Sequence, residues 1–112
     1  MRYKKEKLES LIRAELSKII AKELEFENSL MTITEVETSD DLKTAAVNFS
    51  VYPSEKSKEV LKKLDAKHSY LYHLLRKKIR INMLPKIKFK IDTGIEQAAK
   101  IEKILIDENR KD

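Results

Sequence analysis

The sequence predicts an α+β domain in which helices cover one face of a three-stranded sheet. Residues 3–26 carry apolar side chains at steps of three and four, which is typical of an amphipathic helix. Residues 45–52 and 86–92 alternate apolar and polar side chains, as strands with one buried face do. At 112 residues the chain is long enough for one core, so we expect a single domain over residues 1–112.

The first element is a long helix whose apolar stripe needs a partner surface. The stripe consists of Leu8, Leu11, Ile12, Leu16, Ile19, Ile20 and Leu24. The polar face of this helix mixes both signs of charge, which favours packing against the protein's own core over lying on a membrane surface.

A strand rich in β-branched residues follows over residues 30–38. Its alternation is imperfect. Strict alternation along a regular strand (simple parity of the residue numbers) places Leu30 and Val36 on one face and Met31 and Ile33 on the other. We therefore expect either a β-bulge or two covered faces in this strand.

The second strand completes a hairpin and ends at a proline. The Ser-Asp-Asp sequence of residues 39–41 favours a turn, and Val47, Phe49 and Val51 then share one face. The residues predicted to face the other way are Asn48, Ser50 and Tyr52. Pro53 ends the strand because proline has no N–H to donate to a ladder.

Two helical segments come next, with an irregular junction between them. Ser54 is predicted to cap a helix over residues 55–66, and a second helix is predicted over residues 70–83. The apolar stripe changes register at Lys67, His68 and Ser69. This change indicates either two helices joined by a tight corner or one sharply kinked helix. Pro85 closes the second segment.

The last strand, over residues 86–92, turns Ile87, Phe89 and Ile91 inward. We expect a final helix over residues 95–106 and a charged, frayed tail over residues 107–112. The element order is that of a type II KH domain with an added C-terminal helix. KH domains clamp nucleic acid with a GXXG loop between their middle helices, yet the one glycine of this chain is Gly94.

Positive charge is concentrated in one segment of the chain. Residues 67–91 include eight Lys or Arg and both histidines but no Asp or Glu in 25 positions. Elsewhere the 19 acidic residues outnumber the 16 basic ones. A localised basic stretch on a folded domain attracts polyanions, and a nucleic acid is the commonest of these in a cell.

Two arrays of cations are predicted within this segment. At about 100° per residue, the helix over residues 70–83 forms one cationic ridge from His73, Arg76, Lys77 and Arg80, while Lys78 points toward the apolar side. On the last strand Lys86, Lys88 and Lys90 repeat about every 6.6 to 7 Å, close to the spacing of successive phosphates. Together with Lys67, these residues other than Lys78 are the predicted RNA contacts. A solvated polar face is the simpler alternative, but two neighbouring arrays without a neutralising acid favour nucleic acid.

Tyr70, Tyr72 and Phe89 lie among these cations and offer rings for stacking on unpaired bases. The alternation of the last strand favours the core for Phe89, and the tyrosines are expected at the core edge.

Other chemistries lack a signal. The chain has no cysteine, so disulfides and thiolate sites are excluded and a reducing compartment, the cytoplasm, is favoured. His68 and His73 are five residues apart, a poor spacing for a metal site on a helix. There is no apolar run long enough for a membrane span, and there is no catalytic or phosphate-loop motif. We expect no enzyme activity and no cofactor.

Three segments carry a family resemblance. Asp41-Leu42, followed by Ala45 or Ala46 and Val47, is similar to a D-L-x-x-A-x-V run, and residues 84–92 (LPKIKFKID) are similar to P-x-L-x-F-x-x-D. The third segment is the amphipathic stretch from Ile95 to Leu105. In this order and spacing they resemble the bacterial ribosome-binding factor A family, over the chain from Lys5 to about Leu105.

The resemblance implies a KH-like fold in which a helix, kink and helix replace the glycine-rich loop. It also implies a cytoplasmic, non-enzymatic, monomeric factor that binds the small (30S) ribosomal subunit during late processing of 16S rRNA, often linked to growth in the cold. Where the family tends to have Ala-x-Gly at the kink, this chain has Lys67-His68-Ser69. The resemblance leads us to expect arginine at two positions where this chain has Tyr72 and Asn82.

Two alternative functions remain at this stage. One is a generic KH-type protein that binds single-stranded RNA. The other is a protein-interaction module that dimerises through Leu11, Leu16 and Ile20 of the first helix.

Overall fold

The computed structural model describes residues 4–94 and confirms the predicted order of elements in that range. The elements are α1 (Lys5–Glu23), β1 (Leu30–Thr38), β2 (Thr44–Tyr52), a 3₁₀ turn (Ser54–Lys56), α2 (Ser57–Ala66), α3 (His68–Lys78) and β3 (Lys86–Ile91). The sheet has the order β1-β2-β3, with β1 antiparallel and β3 parallel to β2. The predicted helix over residues 95–106 and the tail over residues 107–112 lie outside the described residues.

The three described helices pack on one face of the sheet, as predicted. Val47 and Phe49 of the central strand are completely buried, and so are Ile12 of α1 and Leu64 of α2. Burying an aliphatic or aromatic side chain of this size contributes roughly 1.5 to 3 kcal/mol, so this single core dominates the stability of the domain. We call the opposite side of the sheet the open face. Its residues are Leu30, Thr32, Glu35, Glu37, Ala46, Asn48, Ser50, Tyr52, Lys86, Lys88 and Lys90.

A β-bulge in β1 confirms one of the two expectations for this strand. The register against β2 shifts between Ile33 and Glu35, so Thr34 is the extra residue. Simple parity was therefore wrong in pairing Leu30 with Val36. The extra residue reverses the faces, so that Val36 is buried beside Ile33 while Leu30 is exposed.

The β1–β2 connection explains the Asp-Leu step of the first motif. The Asp41 carboxylate accepts hydrogen bonds from the Ser39 hydroxyl at 2.6 Å and from the Lys43 N–H at 3.0 Å. These bonds lower the pKa of Asp41, with the Ser39 hydroxyl the larger cause. Leu42 has a φ of 59°, a left-handed conformation that costs a non-glycine residue about 1 kcal/mol or more. The hydrogen bonds of Asp41 and the partial burial of Leu42 against the core offset that cost.

Two helix boundaries differ from those predicted. α1 ends at Glu23 instead of near residue 26, and Leu24 is already extended although it still packs against the core. Ser54 does not cap α2, because the Lys56 N–H bonds to the Pro53 carbonyl and forms a 3₁₀ turn first. α2 therefore begins three residues after Ser54.

A hydrogen-bonded clasp on the open face connects the two outer strands. The Thr34 hydroxyl at the bulge donates to Asp92, the residue after β3, at 2.6 Å, and the Gly94 N–H donates to the other carboxylate oxygen at 2.9 Å. The bond from Thr34 and, second, that from Gly94 lower the pKa of Asp92. Asp92 is the final residue of the second family motif, so the clasp gives that aspartate a structural role.

We predict that Asp92→Asn destabilises the domain by about 1 kcal/mol at neutral pH, because it weakens a charge-assisted pair of hydrogen bonds. Since the folded-state pKa of Asp92 lies below its unfolded value, this stabilisation is present above the unfolded pKa and is lost as the pH falls through the folded one. Urea unfolding at several pH values measures both effects. Asp65→Asn, which changes an exposed carboxylate on α2, is the matched control and should cause no loss.

Candidate nucleic-acid interface

The corner between α2 and α3 consists of a single residue, Lys67. Its N–H bonds to the carbonyls of Lys63 and Leu64, both at 3.2 Å, and its own carbonyl accepts the Leu71 N–H at 2.9 Å as α3 begins. The structure therefore has two helices joined by a tight corner. Lys67 has a φ of −103° and a ψ of 9°, so the corner never enters the left-handed region and has no conformational need for glycine.

His68, the first residue of α3, fastens the corner to β3. Its Nε2–H donates to the Ile87 carbonyl at 2.6 Å, because a carbonyl can only accept. Its ring meets Phe89 edge-on at 6.0 Å and stacks on Tyr72 at 6.2 Å. Of the three predicted corner residues, His68 is thus a half-buried anchor, while Lys67 and Ser69 are exposed.

The arrangement confirms the core position expected for Phe89 and the core-edge position expected for Tyr72, and it does not leave either ring free to stack on bases. The Tyr72 hydroxyl donates to the Leu84 carbonyl at 2.6 Å, and Phe89 is buried in the core. Both rings hold α3 against the start of β3. Tyr70 remains 48% exposed, and its hydroxyl donates to Glu23 of α1 at 3.2 Å.

The first cationic array lies at the C-terminal end of α3. Arg76 and Lys77 are exposed in the last turn, and His73 is exposed one turn earlier. Lys78, predicted to point toward the apolar side, is exposed as well. Cations at this end of a helix are favoured by its dipole, each by roughly 0.3 to 1 kcal/mol.

Arg80 is not part of the helical ridge, which corrects the predicted extent of α3. The helix ends at Lys78, and Ile79 is extended with a φ of −109° and a ψ of 108°. Ile79 is buried, and Tyr72 binds the chain again at Leu84, so the segment between them turns back toward β3 instead of continuing the helix. Arg80 is exposed on this connection, between the end of α3 and the start of β3.

The second array is the lysine row of β3, and it forms as predicted. Lys86, Lys88 and Lys90 are exposed on the open face, while Ile87 and Phe89 are buried and Ile91 is half-buried. Within residues 4–94 the ion pairs are Lys5–Asp40, Lys18–Glu15 and Lys56–Glu59. No carboxylate of that range is therefore within ion-pair distance of either array.

The two arrays lie on opposite faces of the sheet, and the N-terminal end of α3 reaches the outer edge of β3 through His68. Lys86 and Asp92 direct their N–H groups to β2, at Lys43 and Phe49. The N–H groups of the alternate residues therefore point to the outer edge of β3; these residues are Ile87, Phe89 and Ile91. At this edge His68 binds the Ile87 carbonyl. The lysine row occupies the open face, whereas α3 packs on the other face. The cations therefore lie on both faces of the sheet and do not form one flat patch.

Other kinds of site find no support in the part of the chain that the structure describes. No group of three or more His, Asp or Glu side chains in residues 4–94 is arranged to hold a metal ion. None of the helices in that range is long and apolar enough to cross a membrane.

We predict that Tyr72→Phe lowers the free energy of unfolding by about 1 kcal/mol, because it leaves the half-buried Leu84 carbonyl without the hydroxyl. Tyr70→Phe is the matched control. Its hydrogen bond to Glu23 is exposed, so the change should have little effect. Urea unfolding of both variants measures the difference, and equal stabilities would contradict the anchoring role of Tyr72.

Comparisons with known proteins extend the sequence resemblance. A family model described as Ribosome-binding factor A matches residues 4–105. A ribosome-binding factor A from Coprothermobacter proteolyticus is 36% identical over 110 residues, which cover 97% of this chain and 80% of that protein.

Solved structures agree with the fold. The crystal structure of ribosome-binding factor A from Thermus thermophilus has a TM-score of 0.67 at 26% identity, covering 79% of this chain and 94% of that chain. A homology model of a Thermus thermophilus ribosome-binding factor A, fitted into a cryo-EM map of its complex with the 30S subunit, has a TM-score of 0.66 at 24% identity. It covers 78% of this chain and 93% of that one.

Proposed function

Because this chain belongs to the ribosome-binding factor A family, we propose that it binds the free small ribosomal subunit and assists late maturation of 16S rRNA without catalysing a reaction. We propose further that residues 1–112 act as one rRNA-binding domain in the cytoplasm. The family match over residues 4–105 is the observation that carries this proposal. The 30S complex of the Thermus thermophilus protein supports it, since that relative has the same fold.

In this proposal, phosphates of rRNA contact the cations of α3 on one face of the sheet and those of β3 on the other. The contacts are Lys67, His73, Arg76, Lys77, Arg80, Lys86, Lys88 and Lys90. Six of these eight side chains sit on α3 or β3, and His68 and Tyr72 fix α3 to β3 and to the residue Leu84 before it. Phosphate contacts position a protein without reading sequence, so the shape of the rRNA around the edge selects the docking site. Tyr72 contributes here as an anchor, at a position where the resemblance led us to expect an arginine.

The dimerisation alternative is disfavoured by where α1 directs its apolar side chains. Leu16 and Ile20 are buried within the same chain, and Leu11 is half-buried against the same core. A dimer through these residues would have to open that core. The remaining alternative, a generic single-stranded RNA binder, differs from the proposal in preferring short oligonucleotides to intact subunits.

We expect the protein to co-migrate with free small subunits in gradient fractionation of a cell extract and to be absent from translating ribosomes. Binding to a folded subunit combines many phosphate contacts that an oligonucleotide cannot supply together. Detection of the protein across the gradient is the measurement. Displacement of the protein from subunits by a modest excess of unstructured oligonucleotide would favour the generic binder instead.

We predict that changing Lys86, Lys88 and Lys90 to alanine makes the affinity for small subunits less dependent on salt. Each lost phosphate contact should reduce the slope of log affinity against log salt by about 0.7 to 0.9. The control removes the same charge elsewhere, by changing Lys22, Lys58 and Lys62, which are exposed on α1 and α2. Equal slopes for the two triple variants would show that the β3 lysines do not contact phosphates.

A further inference from the structure

The open face carries an apolar pair beyond the end of its lysine row. Leu30 and Tyr52 are directly opposite each other in the β1–β2 ladder and are 72% and 77% exposed. Directly opposed side chains in an antiparallel pair have Cβ atoms about 4.5 to 5.5 Å apart, so the two form one small platform. Within residues 4–94 the Tyr52 hydroxyl has no hydrogen-bond partner. The function proposed above uses neither residue.

Charge changes sign across the open face. Glu37, Ala46 and Lys88 form one cross-strand row, and Glu35, Asn48 and Lys90 form the next. Neighbouring strands are about 4.8 Å apart, so roughly 10 Å separates the acidic strand from the basic one. A polyanion on this face is attracted to β3 and repelled by β1. Its backbone therefore has one favourable path, which follows the lysine row.

The centre of the open face is lined by short side chains. Ala46 and Asn48 of β2 are half-buried and lie between the glutamates and the lysines, and the half-buried Ser50 is the next outward residue, opposite Thr32. The short side chain of Ala46 leaves room for planar groups that extend from a backbone over β3, as far as the Thr34–Asp92 clasp beside Asn48. The amide of Asn48 and the hydroxyl of Ser50 offer both donors and acceptors to base edges. Tyr52 lies two outward positions beyond Asn48, about 13 Å along the strand.

The Asp92 carboxylate separates Lys90 from the apolar pair. Both of its oxygens accept hydrogen bonds, from Thr34 and from the Gly94 N–H, so its negative charge is fixed at this end of the face. A phosphate is disfavoured beside it. An uncharged base over Tyr52 is not repelled by this carboxylate. The charge pattern therefore favours a base at the platform and phosphates over the lysines.

We infer that the open face binds an unpaired strand of RNA, with its phosphates along Lys86, Lys88 and Lys90 and one base stacked on Tyr52 against Leu30. This inference rests on the proposed function and extends it. The end of α3, on the other side of β3, is then left for folded rRNA. The protein holds a single-stranded segment and a structured segment on the two sides of one edge strand.

Tyr52→Ala tests the stacking contact. Using the full chain and a fluorescently labelled ten-nucleotide oligouridine, we expect anisotropy titrations to show an affinity about fivefold or more lower for this variant. Tyr52→Phe keeps the ring and should bind like the original protein. Tyr70→Ala removes a half-exposed tyrosine on α3 and should leave the affinity for the oligonucleotide unchanged. The inference is wrong if Tyr52→Ala binds the oligonucleotide as tightly as the original protein. It is also wrong if Tyr70→Ala lowers the affinity as much as Tyr52→Ala does.

Glu35→Gln tests the path of the RNA backbone across the open face, since it removes a negative charge that repels the backbone from β1. It should tighten oligouridine binding more than Asp65→Asn, which removes one exposed negative charge from α2, on the other face of the sheet. Equal effects of the two changes would show that only net charge matters and would overturn the proposed path.

Cross-linking separates this inference from the proposed function. A 4-thiouridine oligonucleotide should cross-link to Tyr52 when irradiated with the full chain. If the protein binds small subunits but Tyr52 cross-links to neither the oligonucleotide nor rRNA, the open-face site is wrong while the proposed function stands. Cross-links from the open face to a ribosomal protein would likewise overturn the RNA site. Failure to bind small subunits at all would overturn the proposed function itself.

Discussion

The parallel pairing of β3 with β2 is the constraint on which the rest of the structure depends. Parallel strands cannot be joined by a short turn, so the chain must travel from Tyr52 back to Lys86, which pairs with Thr44 at the other end of β2. α2 and α3 make that return, and the single-residue corner at Lys67 lets both helices remain against the core. Everything that characterises the candidate interface, from the corner to the lysine row, lies on this return path or on β3 itself.

Side-chain contacts replace glycine in fixing the corner. Glycine-rich loops let a KH domain bring its backbone close to a nucleic acid. Here the corner keeps ordinary dihedral angles, and an imidazole, a phenol and a phenyl ring fasten it to β3. In the proposed function, recognition therefore relies on side-chain cations presented by a rigid frame more than on a backbone loop.

Much of the fold could be predicted from the sequence because its signals are local. The alternation of apolar and polar residues predicted which side chains of β2 and β3 face inward. The stretch without acidic residues predicted where the positive charge is concentrated. What could not be predicted depends on tertiary contacts. The bulge at Thr34 reversed the faces of β1, and the burial of Ile79 ended α3 early, which removed Arg80 from the ridge. The anchoring role of His68 had no sequence signal, since its partner is a backbone carbonyl on a distant strand. The alternation of β2 predicted that Tyr52 faces outward, but the sequence did not show that Leu30 lies opposite it.

The late position of β3 in the chain affects when the protein can act. During synthesis the hairpin of β1 and β2 emerges first, whereas β3 can pair only after its whole return path has left the exit tunnel. The lysine row acquires its regular spacing at that moment and not before. A nascent chain in which β3 is still unpaired therefore carries these lysines without the ordered spacing on which the proposed phosphate contacts depend.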